Sequence, residues 1–290
     1  LSNNFSIINF IYTKILTNSL FFNFFTFNLH KILSEMTPIL SNNYFVNFEK
    51  EAYKKLNIYL ADYNPSTIFI LVDENTNQNC LSILLQEIET TKEIEIIEIE
   101  AGEVHKNIET CSGVWHALTE LGADRKSLLI NLGGGVITDL GGFVASTFKR
   151  GIDFINIPTT LLSMVDASVG GKTGVDLGVL KNQIGLFSDP QMVLIDSQYL
   201  ETVSEREIRS GLAEIIKYGV TYDIELWNNI NCFNEFTLNN IATLIHRSIE
   251  IKNEVVTKDP KEKGLRKVLN FGHTLGHAIE SYFLSSNNKT

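Results

Sequence analysis

The stretch LLINLGGGVITDLGGFVAS, Leu128–Ser146, decides the fold class. A short apolar run ends in Gly133, Gly134 and Gly135, and a helical pattern starts near Thr138 or Asp139. Glycines between a strand and a helix let the backbone approach a phosphate, and the N–H groups of a helix start favour an anion. The spacing is not G-x-G-x-x-G, so the usual dinucleotide fingerprint is missing. A tight strand–helix turn, close-packed at Gly141 and Gly142, would read the same way.

The alternation repeats on both sides. STIFILVDE (Ser66–Glu74), DFINIP (Asp153–Pro158) and MVLIDS (Met192–Ser197) are short strand-like runs. EIEIIEIEAGE (Glu93–Glu103) alternates apolar and acidic residues, as a half-exposed strand would. Helical patterns cover Asn107–Leu121 and Asp139–Phe148. Strands alternating with helices predict a mostly parallel sheet with helices on its faces. After about Leu200 the texture is helical. SEREIRSGLAEIIKYGVTY opens with Ser204 and Glu207 as a capping box, and NNIATLIHRSIEIKNEVVTKD and RKVLNFGHTLGHAIESYF also read as helices. The expected architecture is an α/β domain over residues 36–198 followed by an all-α domain over 199–290, with the ligand cleft between them. There is no internal repeat.

The chain has 290 residues and a formal net charge of −10. That argues against a nucleic-acid partner, while a local basic cluster could still hold a small anionic substrate. Cys80, Cys111 and Cys232 form no C-x-x-C pair, so neither a disulfide framework nor a structural zinc is expected, and a reducing compartment is. Residues 1–35 begin with Leu, and Glu35 is their single acid. They contain no apolar span of the roughly 20 residues a membrane helix needs. They also lack the marks of a signal or transit peptide. They are expected to be a non-native or disordered extension, with Met36 as the natural start.

Three further features carry chemistry. IPTTLLS places Thr159 and Thr160 at a strand end, where open α/β sheets bind ligands. MVDASVGGKTGVDLGVLKNQIG contains Asp166, Lys172, Asp176 and Lys181 among repeated glycines, which suggests a loop wrapped round an anion, or else a solvated surface loop. In the helical part, His273 and His277 are four apart and share a helix face. A catalytic zinc needs three protein ligands and an open position. Glu214, set among apolar neighbours with Lys217 three residues on, is the best carboxylate for it. Arg266, Asn270 and the histidines would form one polar stripe, with Glu262 just before it. Ordinary helix-surface polar residues and one core histidine are the alternative.

GEVHK, LGGGVITDLGGF, IPTTLLSMVDASVGGKTGVD, LKNQIGLF, SGLAEIIKYG and RKVLNFGHTLGHAIE occur in this order between about Met36 and Glu280. Together they closely resemble the 3-dehydroquinate synthase family. The resemblance implies a Rossmann-like NAD-binding domain, a helical domain, and one divalent metal, zinc or cobalt. It implies that Glu214 and His273 are metal ligands. Glu103, Lys106, Gly134, Gly135, Val136, Asp139, Thr159, Thr160, Lys172, Lys181, Tyr199, Leu200 and Thr202 fall at cofactor positions. Asp166, Lys172, Lys217, Lys252, Glu262, Arg266 and Asn270 fall at substrate positions, with His277 handling a proton.

Arg150 would reach a neighbouring subunit's site, which implies a homodimer. The implied reaction converts 3-deoxy-D-arabino-heptulosonate 7-phosphate (DAHP) to 3-dehydroquinate and phosphate, the second step of the shikimate pathway, in the cytoplasm and without a membrane partner. Thr138 stands where many members have Gly. The family takes a third metal ligand from a later histidine, and no histidine follows His277, so the chain is expected to be a fragment. The rivals are other sugar-phosphate cyclases and the metal- and NAD-dependent alcohol or glycerol dehydrogenases, which usually have Asp at the first ligand position.

Overall fold

The computed structural model describes residues 36–232, 238–259, 262–273, 275, 276, 279 and 282. The chain opens with strands β1 (Ile39–Ser41) and β2 (Tyr44–Phe48) and helix α1 (Glu49–Tyr63). Strand β3 (Ile68–Asp73), helices α2 (Glu74–Asn79) and α3 (Leu81–Glu87), and strand β4 (Ile94–Ile99) follow. Next come α4 (Ile108–Glu120), β5 (Leu128–Gly133), α5 (Gly135–Thr147) and β6 (Asp153–Pro158). Strands β7 (Lys172–Leu177) and β8 (Leu180–Phe187) form a hairpin before β9 (Met192–Ile195). Helices α6 (Glu205–Thr221), α7 (Ile224–Cys232) and α8 (Leu238–Lys258) follow, and no strand follows β9 among the described residues.

Seven strands make one sheet in the order β1-β2-β9-β6-β5-β3-β4, and every pairing except β1–β2 is parallel. From β3 the chain moves outward to β4, then crosses back over β3 to β5. Their carboxyl ends therefore flank the point where the winding reverses, which is where open α/β sheets leave a crevice.

Burial explains the strand patterns. All six residues of β5 are buried, because helices cover both faces. Along β3, Ile68, Ile70 and Val72 enter one core, and Phe69 and Leu71 enter the other. Edge strand β4 buries Ile97 and Ile99 and exposes Glu98, as its alternation predicts. The first core continues without a break through Leu161, Met164, Val165 and Val169 to Leu212, Ile215, Tyr218, Ile245, Ile249 and Leu269. The helices are thus joined to the sheet by packed apolar surface. No helix among the described residues is long and apolar enough to cross a membrane. Cys80 and Cys111 are buried free thiols.

Four expectations need correction. Helix α5 starts at Gly135 and not near Thr138, whose hydroxyl donates back to the carbonyls of Gly134 and Gly135 at 3.3 Å each. Strands β1 and β2 were not expected, because three to five residues with Asn between them carry too little periodicity. The second glycine-rich stretch is not one loop: its start lies on a helical turn, Ser163–Ala167, and from Lys172 onward it forms the β7–β8 hairpin. Its glycines let the two strands approach, since a Cβ on Gly174 would lie 2.5 Å from the Ile184 carbonyl oxygen. Finally, Arg266 to His273 is not one helix. A 3₁₀ turn covers Leu265–Asn270, and Gly272 then takes φ +82°, so the expected stripe is broken before His273.

Close packing at the opening motif is real. A Cβ on Gly141 would stand 2.0 Å from Asn131 Oδ1, and one on Gly142 would stand 2.5 Å from Thr173 Cγ2.

At the carboxyl end of β9, Asp196 accepts from the Tyr53 hydroxyl at 2.7 Å, and the Ser197 N–H donates to Glu49 at 3.2 Å. Burial, and then the negative charge of Asp196, push the Glu49 carboxyl up to about 8. The fold therefore favours protonated Glu49. Its contribution is complete below the ordinary glutamate range and is lost as pH rises towards and through about 8. Thermal unfolding followed from pH 5 to pH 9 should show a fall of several degrees that Glu49→Gln abolishes; an unchanged slope in the variant would contradict this assignment.

Candidate functional site

The carboxyl edge of the sheet gathers the first group of candidate residues. Helix α5 leaves Gly134 with no capping side chain and has no acidic residue in its first turn, so its N–H groups face the crevice uncompensated. Gly134, Gly135 and Val136 are partly accessible there, although the residues on either side are buried. The Thr159 N–H donates to the Gly133 carbonyl at 3.0 Å, which brings the ends of β5 and β6 together. A Cβ on Gly134 would lie 3.2 Å from Thr160 Cγ2, and one on Gly135 would lie 3.4 Å from the Ala167 Cβ. These glycines thus bring the backbone close to the neighbouring segments.

An ion-pair chain borders this edge. Lys106, 4% exposed, donates to Asp139 at 2.6 Å and to Asn182 at 2.8 Å. Burial alone would lower the Lys106 pKa, but the carboxylates of Asp139 and Glu103 outweigh it and hold the ammonium above its ordinary value. Lys181 reaches Glu103 at 2.9 Å. The Asp176 N–H donates to the Lys106 carbonyl at 2.9 Å, so the β7–β8 hairpin is fastened to the segment after β4. Asn182 was missed in the sequence, where nothing sets it apart from any other hairpin residue.

The second group lies where the sheet meets the helices. A π-helical turn, Ser163–Ala167, follows β6 and carries Asp166. Lys252 of α8 donates to the Asp166 carboxylate at 2.6 Å, and Tyr218 of α6 donates to it at 3.1 Å. Burial opposes ionisation of Asp166, but the ammonium groups of Lys252 and Lys217 prevail and hold its carboxyl below the usual range. Lys217 contacts the Glu214 carboxylate and donates to the Leu269 carbonyl. It thereby ties α6 to the turn that precedes His273. Arg266, 3% exposed, donates to the Gly170 carbonyl at 3.2 Å. Beside it, Lys172 and Asn270 both donate to Glu262. Tyr218 escaped the sequence reading, although its place next to Lys217 and four residues after Glu214 puts it on the same side of α6.

Glu214 has the character of a cation ligand. It is 8% exposed, its Oε1 pairs with the Lys217 ammonium, and burial together with the Asp166 charge raises its pKa. Among the described residues no three His, Cys, Asp or Glu side chains converge as a metal site. Of the expected ligands, Glu214 and His273 are among the described residues, and His277 lies outside them.

Some candidates lie apart. Tyr199 is 1% exposed, with its hydroxyl 3.1 Å from that of Tyr53, and Leu200 is buried, so neither side chain faces the crevice; Thr202 is exposed. Arg150 follows α5 at the amino end of β6, the edge opposite the glycine turn. There Lys149 and Arg150 take left-handed φ values of +50° and +72° and, with Arg125, border an open depression.

Lys252→Met would leave the half-buried Asp166 carboxylate without its closest cation, and a loss of about 1–3 kcal/mol in urea unfolding is expected. Adding Asp166→Asn should restore part of it; strict additivity within about 0.5 kcal/mol would disprove the coupling.

Residues 96–210 match the family described as 3-dehydroquinate synthase N-terminal, and residues 211–288 match 3-dehydroquinate synthase C-terminal. A 3-dehydroquinate synthase of Parabacteroides distasonis is 44% identical over 234 residues, 80% of this chain and 66% of that protein. Measured against three such curated relatives, the chain spans 66%, 64% and 52% of their lengths. A 2-deoxy-scyllo-inosose synthase solved with carbaglucose-6-phosphate, NAD+ and Co2+ shares the fold at a TM-score of 0.78 and 23% identity, over 85% of this chain and 71% of that one. A 2-epi-5-epi-valiolone synthase from Streptomyces hygroscopicus, solved with NAD+ and Zn2+, gives 0.72 and 28%, over 84% and 70%. With both halves matched in order, the chain belongs to the 3-dehydroquinate synthase family.

Proposed function

We propose that this protein acts as a 3-dehydroquinate synthase, converting DAHP to 3-dehydroquinate and phosphate. One observation carries the reading: the turn Ser163–Ala167 is shared by both groups of residues. Ala167 sits where a Cβ on Gly135 would be 3.4 Å away, and its neighbour Asp166 is held by Lys252 and Tyr218. A dinucleotide lying on the glycine turn and an anion lying on the cations would therefore meet. In this reading residues 36–198 form the NAD-binding domain and residues 199–290 the metal- and substrate-binding domain.

Lys172, Lys217, Lys252 and Arg266 would hold the phosphate and carboxylate by charge-assisted hydrogen bonds. Asn270 would take a hydroxyl, and Glu262 orients both Lys172 and Asn270. Glu103, Lys106, Asp139, Lys181, Thr159 and Thr160 would frame the cofactor. His277 would move the proton of the C5 hydroxyl. Glu214 and His273 would hold zinc or cobalt. When bound, NAD would accept and return the C5 hydride, and the metal would polarise the C5 oxygen. Arg150 does not approach this cluster in its own chain, so a second copy would supply it in a cytoplasmic homodimer. A cyclase for another sugar phosphate is the nearest rival, favoured by the likeness to the inosose and valiolone synthases.

The natural protein, incubated with DAHP, NAD and zinc, should release phosphate. Release from another sugar phosphate alone would favour the rival cyclase, and oxidation of simple alcohols without phosphate release would favour a dehydrogenase. Lys172→Ala should lower kcat/KM by about a hundredfold while leaving the fold intact. Glu214→Gln should reduce the zinc retained after dialysis; unchanged zinc content would remove Glu214 as a ligand.

A further inference from the structure

We propose that Tyr44, far from the site in sequence, is a positioning residue for its anion-binding side; the inference rests on the function proposed above. Tyr44 belongs to β2 and is 1% exposed. Its hydroxyl accepts the N–H of Gly170 at 3.0 Å. The carbonyl of the same Gly170 accepts from Arg266 at 3.2 Å. Gly170 is thus gripped from both sides, by a phenol through its N–H and by a guanidinium through its carbonyl.

The surroundings make this grip consequential. Gly170 and Gly171 take φ of +102° and +67°, a turn that no strand ladder holds at Gly170. A Cβ on Gly170 would stand 3.1 Å from Arg266 Nη2 and 3.6 Å from Lys252 Cε, so the turn packs against two of the cations. Lys172, a third, follows two residues later at the start of β7. Gly171 is itself anchored, its carbonyl accepting from the Ser188 N–H at 2.8 Å. The Tyr44 hydroxyl therefore fixes the end of the turn nearer Asp166. Removing it leaves a buried N–H without its acceptor. The turn would relax, and Arg266 and Lys172 would shift with it. Tyr44 touches neither substrate nor cofactor in this scheme, and its effect passes through Gly170.

Tyr44→Phe keeps the ring in the core and deletes only the hydroxyl that accepts from Gly170. The expected result is a rise of about tenfold in KM for DAHP, with kcat changed less than about threefold and the KM for NAD unchanged, because small displacements of binding groups are costly. A second readout needs no turnover: the affinity for inorganic phosphate, measured by calorimetry, should weaken severalfold. A wild-type KM for DAHP together with wild-type phosphate affinity, or an equal rise in the KM for NAD, would overturn the proposal. If the natural protein releases no phosphate from DAHP, the proposed function fails, and the phosphate affinities of the two proteins still decide the role of Tyr44. Should Tyr44→Phe not fold, Gly170→Ala, which strains the same turn, carries the same expectations.

Discussion

An ion pair between the buried Lys252 and the half-buried Asp166 ties the two parts of this molecule together. Asp166 sits on an irregular turn after β6, and Lys252 reaches it from α8 at 2.6 Å. Lys252 would not be buried alone, because an unpaired charge in a poorly hydrated interior is too costly. Tyr218 from α6 completes the arrangement, so one carboxylate fixes two helices against the sheet. The apolar core on that face runs continuously past the pair, so the geometry of the charges is set by packing as much as by attraction.

Charge distribution follows from this arrangement. The chain as a whole carries −10, yet Lys252 and Arg266 pack against the Gly170 turn, Lys172 follows it, and Lys217 lies near Asp166; all but Lys172 are buried. Cations held close together repel, and each is stabilised by a named acceptor: Glu262, Glu214, Asp166 and the Gly170 carbonyl. Under the proposed function this array receives the substrate anion, since the donors are already oriented and partly stripped of water. The glycine turn, whose Gly135 approaches Ala167 next to Asp166, offers helix N–H groups.

Much of the sheet is legible in the sequence. The runs that became β3, β4, β5, β6 and β9 are apolar, short and bounded by turn residues. The capping pair at Ser204 also marks the true start of α6, where the serine side chain accepts from the Glu207 N–H. The failures are equally physical. Strands β1 and β2 are too short for periodicity to register. The β7–β8 hairpin is rich in glycine because its strands approach closely, and that composition imitates a loop. The break at Gly272 depends on a backbone angle that a histidine-rich helical pattern conceals.

By itself the sequence determined the α/β order, the glycine turn, the family, and the residue types of the candidate site. Those are local properties: apolar spacing, glycine placement and motif order along the chain. Only the tertiary structure decided which charges meet. Lys106 finds Asp139, Lys252 finds Asp166, and Tyr44 finds Gly170 across 126 positions of chain. It also turned Tyr199 into the core and left Arg150 at the opposite edge of the sheet. Pairings of this kind depend on how strands and helices stack to bury their apolar faces, a collective outcome that no short stretch of residues encodes.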